Sequence, residues 1–224
     1  MADTWKLKWD EQGQRLYETG VRMGVLYPMN EQGAYKPGVA WNGLTAVNQN
    51  PSGAESNKQY ADDINYLNLT SAEEFGATIE AFTYPEEFAE CDGSAEAATG
   101  VYVDQQPRKT FGFCYRTVLG NDVKGEAYGY KLHLVYGLKA SPSGKNYQTI
   151  NNSPEAINFS WEVNSTPVNV TGMKPTSVIH IDSTKVDEDK LAALEAKLYG
   201  TDGQGGEDAE LPLPDAVISM INGQ

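Results

Sequence analysis

Apolar and polar residues alternate with period two along several stretches of this chain, the signature of strands that turn one face to a core and the other away from it. Phe75, Ala77, Ile79, Ala81 and Thr83 alternate with Gly76, Thr78, Glu80, Phe82 and Tyr84, and both faces carry large residues in the second half of the run. The rhythm returns in Phe111, Phe113, Tyr115, Thr117 and Leu119 and again in Tyr130, Leu132, Leu134 and Tyr136, with Gly120-Asn121-Asp122 and Lys124-Gly125 between them. That pair predicts a long hairpin. Ile157, Phe159, Trp161 and Val163, interleaved with Asn158, Ser160 and Glu162, give the cleanest inside-outside pattern, and residues 168–170 and 178–181 add shorter runs. The expectation is a mainly β chain of at least six strands, mostly antiparallel.

Helical signals are few. Pro85-Glu86-Glu87-Phe88-Ala89-Glu90-Cys91-Asp92-Gly93 predicts a short helix, with Pro in the first turn, acids near the positive N-terminal end and Gly as terminator. Near the C-terminus the period lengthens: Leu191, Leu194 and Leu198 share a helical face, Ser183 or Thr184 is the expected cap, Asp187, Glu188 and Asp189 suit the helix dipole, and Gly200 closes the helix. Gly203 to Glu210 reads as a flexible acidic linker, and Leu211 to Ile221 as a short docking segment or helix.

The first 50 residues mix strand-like pieces, Arg15 to Glu18 and Val21 to Tyr27, with turn signals at Pro28, Gly33, Pro37, Gly38 and Asn42-Gly43, and predict an arm with local strands. Residues 48–62 are polar and turn-rich and predict a long loop, which in a compact domain is functional or mobile. Its candidate contact residues are Asn50, Pro51, Ser52, Gly53, Ala54, Glu55, Ser56 and Asn57. The expected organisation is one β domain over residues 1–185, arm and loop included, followed by a C-terminal helix, linker and docking segment over 186–224.

Composition removes several function classes. Hydrophobic residues are 40% of the 224 and aromatics 10%, enough for a packed β core and against disorder. Thirty-one acids against 17 bases give a formal charge of −14, which disfavours binding of nucleic-acid phosphates or anionic lipid and also suits plain solubility. Met1 to Lys6 carry no apolar signal core, and no stretch approaches the ~20 apolar residues of a membrane span, so a soluble cytoplasmic product is expected. The Asn-x-Ser/Thr matches at Asn68, Asn158, Asn164 and Asn169 are then ordinary strand and turn residues.

No catalytic residue, cofactor or metal is expected. Cys91 and Cys114 lack redox or zinc spacing, and His133 and His180 fall in separate strand-like runs. The chain has no Gly-x-Ser-x-Gly elbow and no Gly-rich loop ending in Lys-Ser or Lys-Thr. Glu80, Glu86, Glu87 and Glu90 could supply a glycosidase's paired carboxylates, but the same spacing gives a solvated strand end and helix face.

Several longer runs carry a family resemblance. They are Gly38-Val-Ala-Trp-Asn-Gly-Leu-Thr-Ala-Val-Asn-Gln-Asn-Pro-Ser-Gly-Ala-Glu, Tyr60-Ala-Asp-Asp-Ile-Asn-Tyr-Leu-Asn-Leu, Glu73-Glu-Phe-Gly-Ala-Thr-Ile-Glu-Ala-Phe-Thr-Tyr-Pro, Phe88-Ala-Glu-Cys-Asp-Gly-Ser, Arg108-Lys-Thr-Phe-Gly-Phe-Cys-Tyr-Arg-Thr, Gly129-Tyr-Lys-Leu-His-Leu-Val-Tyr-Gly and Ile157-Asn-Phe-Ser-Trp-Glu. Over residues 20–185 the chain resembles the major tail tube proteins of long non-contractile-tailed bacteriophages of Gram-positive bacteria.

The resemblance implies an antiparallel β-sandwich or partial barrel with one flanking short helix, extended loop and terminal arms, and short C-terminal helices. It also implies a structural virion protein, not an enzyme, that forms hexameric rings stacked into a hollow tube. Through that tube DNA would pass into the host without specific binding. Partners would be other copies of the chain, a tape-measure protein, a tail terminator and baseplate or tail-tip proteins, with no membrane; the location would be the virion, after the host cytoplasm. The long loop at 48–62 and the chain ends would reach between rings, and six copies at −14 each would offer DNA an acidic, repelling lumen. The alternatives are the inner tube of a contractile tail or phage-derived bacteriocin, which shares the fold, and a monomeric carbohydrate- or receptor-binding β-sandwich that uses exposed aromatics.

Overall fold

Strong alternation becomes the spine of the molecule. In the computed structural model, which describes residues 6–150, 152–203 and 205–223, the elements in chain order are β1 (Leu16–Pro28), β2 (Val39–Trp41), β3 (Leu44–Gln49), β4 (Ser52–Gly53), β5 (Ser56–Ala61), β6 (Ile64–Thr70), β7 (Glu73–Glu74) and β8 (Gly76–Ala81). A 3-10 turn (Glu86–Phe88) leads into α1 (Ala89–Asp92), followed by β9 (Ala95–Ala98), β10 (Val101–Val103), β11 (Phe111–Asn121), β12 (Gly125–Ala140), β13 (Phe159–Ser165), β14 (Val178–Asp182), α2 (Glu188–Tyr199) and α3 (Pro214–Asn222). The leading residues 1–5 of the expected arm and Gln204 of the expected linker lie outside the described residues.

Eight strands form one antiparallel sheet in the order β2-β1-β11-β12-β13-β8-β3, with β14 also on β12. Its two end strands, β2 and β3, are consecutive in the chain and joined by Asn42-Gly43, where Gly43 takes φ +75°. A turn that short forces the sheet to curl until its ends meet, giving a partial barrel rather than a closed one. Residues 16–28, expected in an arm, instead form a central strand paired along its length with β11. Residues 168–170 form no strand, only an isolated bridge between Val168 and Thr176.

Two buried clusters lie on opposite faces. Inside the curl, Leu26, Trp41, Ile79, Phe88, Phe111, Phe113, Tyr115 and Trp161 pack together, with Trp41 and Phe88 rings against the Trp161 ring at 5.5 and 5.2 Å. Outside it, Tyr27, Cys114, Leu132, Leu134, Tyr136 and Ile181 meet Leu191, Leu194 and Leu198 of α2 and Val217 of α3.

Strand β12 serves both clusters because of one bulge. Leu132, Leu134 and Tyr136 face outward, and after Gly137, at φ +61°, Leu138 and Ala140 face inward despite the same parity. At that point β12 also exchanges β14 for β13 as its neighbour.

The expected helix after Pro85 is present and ends at Gly93 in the left-handed region (φ +84°). The expected cap of α2 is corrected: Asp187 caps it by accepting from the Lys190 N–H at 3.3 Å, while Thr184 donates its backbone N–H and its hydroxyl to Asp182. Residues after Gly200 turn back along α2, where the Lys197 ammonium meets Glu207 at 2.9 Å and the Glu210 N–H reaches the Lys197 carbonyl.

Candidate assembly surface

The segment expected as a loop at 48–62 is instead the rising limb of a two-stranded arm. The Asn50 N–H donates to the Gly76 carbonyl, Ser52 and Gly53 pair with Glu74 and Glu73, and the Ala54 N–H donates to the Ala72 carbonyl. Beyond them the Glu55 N–H donates to the Ser71 hydroxyl, and Ser56 and Asn57 pair with Thr70 and Leu69. Pro51 sits between two paired residues, at the stem where a missing donor is tolerated. Asp62 and Asp63 make the tip at φ +51° and +61°, the tight hairpin geometry that short carboxylate side chains accept more readily than most.

Every residue of β5 and β6 is exposed, including Tyr60, Ile64, Tyr66, Leu67 and Leu69. Registry sorts the two faces. Asn57 opposite Leu69, Gln59 opposite Leu67 and Ala61 opposite Ile64 share one face, so an apolar stripe of Ala61, Ile64, Leu67 and Leu69 runs along it. Ser56 opposite Thr70 and Lys58 opposite Asn68 occupy the other. A bulge at Gln59/Tyr60 keeps the stripe in line beyond Tyr66. Two strands with no cover are at best marginally stable in water, and this arm carries an exposed apolar stripe along one of its faces.

A second, smaller hairpin, β9 on β10, is also detached from the main sheet and wholly exposed. Val101 opposite Ala98 and Val103 opposite Ala95 form one apolar face, while Tyr102 opposite Glu96 forms the other.

Strand β8 separates the two hairpins. Its first residue, Gly76, adjoins the arm's stem, and the chain leaves its last residue, Ala81, for Tyr84, the 3-10 turn, α1 and the small hairpin. The hairpins therefore stand at opposite ends of the curled sheet.

The histidines, expected in unrelated runs, are brought face to face by the β12–β14 pairing, with His133 and His180 Nδ1 atoms 2.8 Å apart. The Thr117 hydroxyl donates to Glu18, so His133 Nε2, 2.8 Å from Thr117 Oγ1, must carry its own hydrogen. The bare Nδ1 of His133 then accepts from His180. A chain of donors thus runs from β14 through β12 and β11 to the Glu18 carboxylate on β1, which Lys131 also contacts. Burial, then the neighbouring His180, lowers the His133 pKa to about 4, and burial, then Lys131, lowers that of His180. Among the described residues no group of three or more His, Cys, Asp or Glu side chains is placed to hold a metal ion.

The four candidate carboxylates do not converge. Glu80 accepts from Asn48 and Asn158 on the outside of the sheet, whereas Glu86, Glu87 and Glu90 line a separate cleft where Glu90 pairs with Lys109 at 2.6 Å. Cys91 and Cys114 are buried free thiols in different clusters, each pushed up to about 12 chiefly by that burial. No helix among the described residues is long and apolar enough to cross a membrane.

The class defined is a mainly β, antiparallel, partial-barrel protein carrying two uncovered hairpins. No protein-family model matches the chain, and no curated protein matches it. Among solved structures it is similar to the sheath/tube terminator of the PVC extracellular contractile injection system in its extended state. That match has TM-score 0.33 and 10% identity over 79% of this chain and 99% of that one. It is similar also to a chain of the PVC sheath-tube complex in the extended state, with TM-score 0.31 and 11% identity over 79% of this chain and 94% of that one. Likeness at this level carries no argument about function.

Proposed function

We propose that this chain is a structural subunit that associates with copies of itself to build the tube of a phage-type tail. The observation that carries the reading is the arm of residues 52–74, whose apolar stripe of Ala61, Ile64, Leu67 and Leu69 is left uncovered by the described residues. The sequence resemblance to major tail tube proteins points the same way and adds the finer picture of hexameric rings stacked into a conduit for DNA ejection. Six subunits would carry a formal charge of −84, six times −14, and an acidic lumen would let DNA slide rather than adsorb. Tape-measure, terminator and tail-tip proteins are the further partners of that picture, and the virion is its location.

Negative-stain microscopy of the concentrated full chain tests the reading. Rings or tubes of uniform width are expected, and a variant lacking residues 56–70 should stay folded and form no tubes. Monomers at every concentration, together with glycan binding, would put the monomeric sandwich in its place. A lumen lined by neutral or basic groups would sink the sliding argument while leaving the tube. The second reading is the inner tube of a contractile tail, which the sequence resemblance leaves open because such tubes share the fold. Co-purification of the native tube with a sheath protein decides between the two.

A further inference from the structure

We infer that the arm's apolar stripe docks on the small hairpin, β9 and β10, of a second copy, joining copies head to tail. The inference rests on the tube reading and names the receiving surface. Each hairpin is a detached two-stranded sheet with one apolar face: Ala61, Ile64, Leu67 and Leu69 on the arm, and Ala95, Ala98, Val101 and Val103 on the receiver. All of these residues are exposed, so both faces lack cover within one copy.

The two faces cannot cover each other within one chain, because β8 and the curled sheet stand between them. A second copy placed end to end brings them together. Such a contact joins two different surfaces, so it leaves a free arm at one end of the pair and a free receiver at the other, and it propagates. The opposite face of the receiver, Tyr102 with Glu96, lines a cleft with Pro28, Lys36 and Glu86 of its own chain.

Charge argues for an apolar contact. The arm's tip bears Asp62 and Asp63, and the receiver's surroundings bear Glu86, Glu87, Glu96 and Asp104, in a chain whose formal charge is −14. Charge repels the two surfaces, so apolar burial must supply the attraction, and added salt should strengthen the contact by screening. A contact made by opposite charges would weaken instead.

The test uses two variants of the full chain, Leu67→Ser with Leu69→Ser, and Val101→Ser with Val103→Ser. Sedimentation velocity and microscopy are run from low salt to about 1 M, where the screening length falls to about 3 Å. The wild-type chain should stack more readily as salt rises, and each variant alone should stack about tenfold less or worse, with an unchanged melting temperature. Mixed in equal amounts, the variants should form single stacked pairs that grow no further, since one supplies the only intact arm and the other the only intact receiver.

Wild-type stacking by the Val101/Val103 variant overturns the receiver while leaving the arm's role intact. Wild-type stacking by the Leu67/Leu69 variant overturns the arm's role while leaving the assembly standing, whereas a wild-type chain that never stacks overturns the tube reading itself. Stacking that weakens with salt overturns the apolar contact in favour of ion pairing.

Discussion

The hairpin of β11 and β12 and the arm of β5 and β6 are both long antiparallel pairs of neighbouring strands, yet they spend their apolar residues in opposite ways. In the first, Phe111, Phe113 and Tyr115 enter one core while Cys114, Leu132, Leu134 and Tyr136 enter the other, so both faces are covered. In the second, Ala61, Ile64, Leu67 and Leu69 and two tyrosines stand in water. A strand pair in the main sheet is held by the chain's own burial; the arm has no such burial among the described residues, which under the proposed function is left for a partner.

The largest effect should come from the covered side. Trp161 is fully buried against Trp41, Tyr84, Phe88 and Phe159, so Trp161→Ala should cost about 3–5 kcal/mol in chemical denaturation. Next is Gly137→Ala. The added methyl would stand 2.3 Å from the Thr166 carbonyl oxygen at a left-handed backbone position, and a loss of about 2 kcal/mol is expected. A wild-type melting temperature in that variant would mean the bulge does not fix the exchange of faces.

A comparable change should follow from pH. His133 and His180 are held neutral in the fold, while the unfolded chain takes up protons below about pH 6.5. Stability should therefore fall as pH drops from about 6.5 toward 4, chiefly through the buried His133. The Glu18 carboxyl acts in the same direction: burial pushes it up, but bonds from Lys131 and Thr117 hold it below its ordinary value, so its contribution too is lost in acid. Melting curves of wild type and His133→Gln between pH 7.5 and 4.5 check this, and parallel declines would remove the histidines from the explanation. The smallest effect belongs to the arm, where Leu67→Ser with Leu69→Ser should change monomer stability by less than about 0.5 kcal/mol. A large loss there would mean the stripe is covered within one copy after all.

Legibility in the sequence follows the same division. The hairpin of β11 and β12, strand β13 and the helix ending at Gly93 could be read in advance because burial imposes alternation and Pro and Gly punctuate locally. The segment singled out as a contact candidate reads as a loop in the sequence, because a strand exposed on both faces has no burial pattern and its Asp62-Asp63 turn lacks the usual Asn-Gly signal. Leu67 and Leu69, which carry half of the arm's apolar stripe, lie outside the segment singled out. The facing of His133 and His180 depends on the register between β12 and β14, which no local pattern encodes. The same holds for Asp187, chosen as cap over Ser183 and Thr184 only once β14 has fixed where the helix can start.

The Asn42-Gly43 turn that brings the sheet's two ends together also sets an order on folding. Strand β1 pairs along its length with β11, Leu16 opposite Asn121, so an early strand waits for one made much later. Until β11 arrives, the β1–β2 pair has nothing to join it to β12, and the curl that Asn42-Gly43 requires cannot be completed. The arm's local strands can meet meanwhile, before the body that carries them exists. Under the proposed association, a newly made chain thus displays its apolar stripe before the curled body is complete, an interval in which partnerless arms are open to premature clumping.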